Sequence, residues 1–287
     1  MPELPEVQGL VAFLGERVVG TSLTRLTVTS FSALKTFDPP IDALAGAEIT
    51  GAARYGKFVS LRCGDDQFLI FHLAKAGWLR WYDALPSTVI RPGKSPIALR
   101  IGFDDGSGFD LTEAGTKKSL AVYAVRDPSD VPGIARLGPD PFDAGFTRET
   151  FAALLTGRRT QIKGLLRDQS VIAGIGNAYS DEILHAARMS PYAIAAGLDD
   201  GDIARLYEAM RATLQQAVNE ASGKPPAELK DAKRGSMRVH ARRGEKCPVC
   251  NDTVRSVFFA DRSMEYCATC QTGGKVLADR RLSRLLK

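Results

Sequence analysis

No run of about 18 uninterrupted apolar residues occurs in the sequence. Its most apolar stretch, Phe68 to Leu79, is broken by His72 and Lys75, which excludes a membrane-spanning helix. Also missing is a secretory leader: the start, Met1-Pro2-Glu3-Leu4-Pro5-Glu6-Val7, is acidic and proline-punctuated where a leader needs a basic and then an apolar run. A cytoplasmic location is therefore expected. Apolar content is not what is short, because 44% hydrophobic and 25% charged residues over 287 positions is globular composition. Disorder over most of the length is excluded, and one large or two medium domains are allowed. Cysteine is sparse at five, and Cys63, alone in a strand-like run, reads as a buried small hydrophobe.

The formal charge is only +5, but it is unevenly spread. From Lys224 to Lys287 there are 15 Lys and Arg against 7 Asp and Glu, while the preceding 223 residues carry 23 against 26. A C-terminal region of net +8 beside a remainder of −3 suits a polyanionic partner, since neutralised phosphates supply most nonspecific nucleic-acid affinity. A solvated basic tail is the alternative at this point.

The other four cysteines form Cys247-x2-Cys250 and Cys267-x2-Cys270, with 16 residues between the pairs. This spacing fits a four-cysteine zinc ribbon or finger. Disulfides compete with that reading, but a reducing cytosol disfavours them, and two tight knuckles suit one tetrahedral ion.

The first half reads as antiparallel β. Phe58–Cys63 and Gln67–Leu73 flank Gly64-Asp65-Asp66, and Ile97–Phe103 and Gly108–Thr112 flank Asp104-Asp105-Gly106-Ser107. Both are hairpin patterns, so a sheet or sandwich is expected. An opening helix follows from Val7, Leu10, Val11 and Leu14 at helical spacing. The proline- and glycine-rich stretch from Asp127 to Gly145 marks a domain boundary. Beyond Thr147 apolar residues recur at helical intervals, giving four helices, the last carrying Ile203, Leu206, Tyr207, Met210, Leu214 and Val218 with Gly223 as its stop. Ala173-Gly174-Ile175-Gly176-Asn177-Ala178-Tyr179 reads as a glycine turn between helices. Its amides could hold a phosphate at a helix start, but no strand precedes it, so it is no dinucleotide fingerprint, and a purely structural turn remains open.

Five blocks in order then carry a resemblance: Pro2-Glu3-Leu4-Pro5-Glu6-Val7; Arg54-Tyr55-Gly56-Lys57; Leu137-Gly138-Pro139-Asp140-Pro141; Gly174-Ile175-Gly176-Asn177 with Tyr179; and the four-cysteine finger with Arg262-Ser263 just before Cys267. Over essentially its whole length the chain resembles the formamidopyrimidine-DNA glycosylase and endonuclease VIII family. The resemblance implies an α+β multidomain fold. Residues 1–136 would form an N-terminal antiparallel β-sandwich flanked by helices, 137–236 a helix-two-turn-helix domain, and 237–287 a zinc finger.

The implied function is base-excision repair by a bifunctional glycosylase and abasic-site lyase acting on damaged double-stranded DNA. The expected setting is a monomer in the bacterial cytoplasm, nucleoid-associated through DNA. Pro2, exposed by removal of Met1, would attack C1′ through a secondary amine whose reference pKa is about 7.7–8.0. This gives an iminium of Schiff-base type and then β,δ-elimination. A retained Met1 would lock the Pro2 nitrogen in a tertiary amide and displace the site geometry. Glu3 would be the general acid/base, and Glu6 would position the base or the helix, although both also suit a helix N-terminus. Lys57 would reach the phosphate beside the scission point. Asn177, Tyr179 and Arg262 would grip the DNA, Arg262 with the bidentate reach of a guanidinium, around an extruded nucleotide. Cys247, Cys250, Cys267 and Cys270 would hold one structural Zn²⁺ with no open position, and no organic cofactor is implied.

Two positions depart from the family pattern. Relatives carry a methionine wedge where this chain has Lys75, and an arginine pair followed by phenylalanine where it has Lys117-Lys118-Ser119. Two apolar fillers are replaced by a cation, Lys75, and a small hydroxyl, Ser119, with Lys75, Lys117 and Lys118 expected at the DNA, and the preferred lesion is left open. The stretch Lys224 to Val239 lies where a base-capping loop belongs, with a basic interdomain linker as the other reading. A noncatalytic binder of abasic or lesion-containing DNA and a zinc-ribbon accessory protein are the alternative functions.

Overall fold

The computed structural model describes residues 1–91, 95–114, 117–259 and 263–278. The chain divides into two compact units. One combines Met1–Leu137 with Glu220–Ala232, and the other Gly138–Asn219 with Lys233–Lys287.

The first unit opens with α1 (Leu4–Val18), whose Val7, Leu10, Val11 and Leu14 are buried on one face as their spacing predicts. Among the described residues eight strands follow: β1 (Leu23–Val28), β2 (Ile49–Tyr55), β3 (Phe58–Cys63), β4 (Gln67–His72), β5 (Gly77–Tyr82), β6 (Ile97–Phe103), β7 (Gly108–Glu113) and β8 (Ala121–Val125). They build two four-stranded sheets, ordered β1-β6-β7-β5 and β2-β3-β4-β8, with every pairing antiparallel. Both expected hairpins, β3–β4 and β6–β7, are present. The inner faces meet in one core that takes Leu61 and Phe71 from one sheet, Leu99 and Phe109 from the other, and Leu10 and Leu14 from α1. The rings of Phe71 and Phe109 lie 5.9 Å apart across it. Cys63 is buried in this core, and burial pushes its thiol up to about 11.

In the second unit four helices follow the loop after β8: α2 (Arg148–Leu155), α3 (Ile162–Arg167), α4 (Asn177–Ala186) and α5 (Asp200–Ala221). Their core includes Phe151, Leu166, Ile183, Leu206, Met210 and Leu214. Gly223 takes φ +70° just past α5, a left-handed conformation that glycine adopts at no steric cost.

The stretch from Lys224 differs from both a loop and a linker. Residues Pro226–Ser236 form a helix, α6, with proline at the first position, where its missing N–H is no loss. Leu229 is buried in the first unit's core. Trp78 of β5 donates its indole N–H to the Pro226 carbonyl at 3.1 Å, and the Lys230 ammonium sits 4.4 Å over its ring. A basic composition hid a helix that buries Leu229 and packs on Trp78.

The finger comprises β9 (Val254–Phe258), β10 (Ser263–Cys267) and α7 (Ala268–Thr272), with β9 and β10 paired antiparallel.

Candidate active site and metal centre

Pro2 and Glu3 are buried immediately before α1. The Glu3 carbonyl accepts the Val7 N–H at 3.0 Å, which starts the helix, and Pro5 occupies the first turn. The Glu6 carboxylate accepts the Glu3 backbone N–H at 2.8 Å, the return half of a capping box. Glu6 thus fixes the backbone of the residue that follows Pro2.

Lys57 lies in the two-residue turn between β2 and β3, where Gly56 takes φ +55°. It is only 8% exposed, unlike an ordinary solvated lysine. Arg54, near the end of β2, donates from Nε to Gln8 Oε1 of α1 at 2.9 Å and from Nη1 to the Gly56 carbonyl at 3.1 Å. One guanidinium therefore ties the turn that carries Lys57 to the helix that Pro2 and Glu3 lead into.

His72 ends β4 beside this turn, its ring 4.8 Å from that of Phe58. Its Nδ1 accepts the Ala74 N–H at 3.2 Å. Burial, followed by the positive charge of Lys57, lowers its pKa to about 4, so the neutral ring carries its proton on Nε2 and can donate from there. Motif spacing does not single out His72; its only signal is the strand register that pairs it with Phe58, next to Lys57.

Lys75 is exposed in the turn from Leu73 to Gly77, in which Ala74 takes φ +50°. The Gly77 N–H donates to the Leu73 carbonyl at 2.8 Å. Lys117 is exposed, while Lys118 Nζ donates to the Glu113 carbonyl at 2.5 Å. The buried Glu113 carboxylate accepts the backbone N–H groups of Ser119 at 2.7 Å and Leu120 at 3.0 Å. Ser119 is thereby pinned to its own loop.

In the second unit Asn177 opens α4, and its Nδ2 donates to the Ser263 carbonyl of the finger at 2.9 Å. Its Oδ1 is buried without a partner among the described residues. Tyr179, expected at the DNA, is 2% exposed in the helical core, with the Lys233 ammonium 4.6 Å over its ring. It packs α4 rather than presenting a surface. Arg262 lies outside the described residues.

Further along α4, the Glu182 carboxylate accepts the backbone N–H groups of Arg238, Val239 and His240 at 2.8, 2.9 and 2.8 Å. His240 Nδ1 lies 2.8 Å from Asp181 Oδ2 and 3.1 Å from Glu265 Oε2. Burial opposes a charge on this ring, but hydrogen bonds to the two carboxylates outweigh it and raise its pKa to about 9. Burial likewise opposes charge on Glu265, and the hydrogen bond to His240 brings it down to about 2. Asp181, His240 and Glu265 have donor atoms within 4.8 Å of one another, yet the Lys163 ammonium stands 2.6 Å from Asp181 Oδ1. With the imidazolium, it already neutralises the carboxylates, so this trio is an ion-pair network.

The four finger thiols are free and lie within 4.8 Å of one another. Cys250 and Cys267 Sγ are 3.3 Å apart and Cys247 and Cys270 Sγ 3.8 Å, against the roughly 3.8 Å edge of a tetrahedron built on Zn–S bonds of about 2.3 Å. The donor set fits one zinc ion. The knuckle turn is shaped by Asn251 at φ +62°, whose N–H reaches the Cys247 carbonyl at 2.9 Å.

Three family models match the chain. The formamidopyrimidine-DNA glycosylase N-terminal domain covers residues 1–118, the H2TH domain of that enzyme covers 137–225, and the zinc finger found in FPG and IleRS covers 244–273. A formamidopyrimidine-DNA glycosylase of Symbiobacterium thermophilum is 34% identical over 281 residues, 94% of this chain and 89% of that protein. An uncharacterized formamidopyrimidine-DNA glycosylase-like protein of Mycobacterium tuberculosis is 56% identical over 151 residues, 53% of this chain and 94% of that one. Among solved structures, the Lactococcus lactis enzyme bound noncovalently to DNA with an abasic site superposes at TM-score 0.81, with 26% identity and coverage of 94% and 99%. MutM in complex with DNA containing carbocyclic 8-oxo-G superposes at 0.82, with 27% identity and coverage of 94% and 100%. With three successive family models matched along it and a relative 34% identical over 94% of its length, the chain belongs to the formamidopyrimidine-DNA glycosylase family.

Proposed function

We propose that this protein is a base-excision repair DNA glycosylase with abasic-site lyase activity, working as a monomer on damaged duplex DNA in the bacterial cytoplasm. The observation that carries the reading is the tie made by Arg54, which joins the Pro2–Glu3 helix start to the Lys57 turn. Residues 1–136 supply the chemistry in this reading, 137–236 the phosphate grip and 237–287 the metal-stabilised finger.

With Met1 removed, the Pro2 nitrogen attacks C1′ and the base departs with the glycosidic electron pair. The Pro2 N–H proton passes to the departing base, which frees the nitrogen lone pair to expel the ring oxygen; that oxygen takes a proton from Glu3, and a cationic iminium is left on C1′. That cation acidifies the C2′ proton, so loss of the proton expels the 3′ phosphate, and a second elimination expels the 5′ phosphate. Lys57 and the Nε2–H of His72 hold phosphate oxygens next to the reacting sugar. Asn177 at the start of α4 and Arg262 would grip the strand on either side. Lys75 and Lys117 add charge where the extruded nucleotide leaves the stack. A zinc ion on Cys247, Cys250, Cys267 and Cys270 would contribute folding free energy, with no coordination position left for water.

The test is a duplex with one abasic site, incubated with Met-processed protein, treated with borohydride and run on a denaturing gel. A covalent adduct is expected. It should vanish in Pro2→Gly and in a chain whose Met1 cannot be removed. Tight binding without an adduct would instead support a noncatalytic lesion binder.

A further inference from the structure

One face of α4 is turned to the finger along its whole length. Asn177, Asp181 and His185 recur every four residues, with Glu182 beside Asp181, and Asn177, Asp181 and Glu182 make the first three of four contacts. The fourth reaches the metal cluster itself. His185 is 2% exposed, and its Nε2 lies 3.3 Å from Cys247 Sγ. Its Nδ1 is buried with no partner among the described residues. A thiolate offers only lone pairs, so a hydrogen bond between the two requires a proton on Nε2, and in the neutral ring that leaves Nδ1 bare. That tautomer matches the distribution of partners around the ring.

We infer that His185 is an outer-sphere positioning residue of the zinc centre, donating Nε2–H to the Cys247 thiolate and so linking metal occupancy to α4. Four thiolates on one Zn²⁺ leave a net charge of −2, and a buried donor to sulfur disperses it. Partners of this kind orient the ligands, and their loss costs about 10–100-fold in metal affinity. The inference rests on the reading of the four cysteines as a zinc site, and it adds what that reading lacks, a physical link between the ion and the helix that Asn177 opens.

The experiment uses the full chain loaded with Zn²⁺ or Co²⁺. Three variants separate hydrogen bonding from packing: His185→Gln places an amide N–H near the Nε2 position, His185→Asn carries one that falls short, and His185→Leu fills space only. Zinc transfer to an excess of a chromogenic chelator should speed up at least about 10-fold in H185N and H185L, and H185Q should restore it most of the way. In the cobalt protein the thiolate-to-cobalt charge-transfer band should move to lower energy in H185N and H185L and return in H185Q, because an unbonded thiolate gives up its electron more readily. On the unaltered chain loaded with ¹¹³Cd, the His185 Nε2 proton should show scalar coupling to the metal through the sulfur. Wild-type release rates and band positions in H185N and H185L, or absence of that coupling, would overturn the inference while leaving the metal site standing. Absence of tetrathiolate bands in the wild-type cobalt protein would overturn the metal site and the inference together.

Discussion

Among single residues, Arg54 and His240 act at opposite parts of the chain. Arg54 forms no part of the chemistry, yet it is the group that keeps α1 and the Lys57 turn in register. Substitution of Arg54 by alanine should leave the protein folded and lower kcat/KM on an abasic duplex by about 10–100-fold, since misplacement of about 1 Å at a reacting centre has that effect; an unchanged kcat/KM would remove the tie from the mechanism. His240 makes a prediction in pH. Its folded pKa of about 9 lies above the unfolded value of about 6.5, so its stabilisation is complete below about pH 6.5 and fades as pH rises through about 9. The melting-temperature gap between the wild type and His240→Gln should therefore shrink across that window, and a gap independent of pH would mean that the ring is not charged. Glu265 and Asp181 face His240, and Lys163 stands behind Asp181, so the ring titrates against a fixed set of charges.

At the level of elements, the turn between β4 and β5 allows little variation. A Cβ on Gly77 would lie 2.2 Å from the Leu73 carbonyl oxygen, and backbone cannot move aside as a flexible side chain can. Gly77→Ala should cost about 1–3 kcal/mol in denaturant unfolding, and it should also disturb the turn that presents Lys75. The packing of α1 against Leu229 of α6 is similarly close. A Cβ on Gly9 would meet Leu229 Cδ2 at 3.1 Å and the Ala221 carbonyl at 3.2 Å. Gly9→Val should therefore destabilise the first unit, whereas a mutant of wild-type stability would show that α6 can slide to make room.

For the whole molecule the decisive quantities are charge and metal. The basic excess after Lys224 predicts that log affinity for abasic duplex falls linearly with log salt, with a slope of about −0.9 for each phosphate neutralised. A flat salt dependence would be incompatible with a phosphate-gripping protein. Removal of zinc by a chelator should weaken DNA binding more than it weakens the β-sandwich, because the finger and α4 share buried contacts at Ser263, His240 and Cys247. Two melting transitions, of which only one responds to metal, are the expected calorimetric signature.

Much of this was legible in the chain. Alternation of apolar residues and the two acidic turns located β3–β4 and β6–β7; a 3.6-residue period located α1 and α5; two C-x2-C pairs located the four-cysteine cluster. These are local signals, written within a few residues of where they act. The start-of-chain motif likewise singles out Pro2 and Glu3, which are buried together just before α1. Tertiary structure decided the remainder. The helix at Pro226–Ser236 is strongly polar, and it is anchored through buried Leu229 and the indole of Trp78, more than 140 residues away in sequence. Tyr179 sits in the core because of the helices around it, and Arg54, His72 and His185 acquire their roles from partners brought close by strand pairing or helix docking. Sequence determines which groups are available and which elements form. Only folding decides which buried donor faces which acceptor, because desolvation and hydrogen bonding depend on atoms that come together in space and not along the chain.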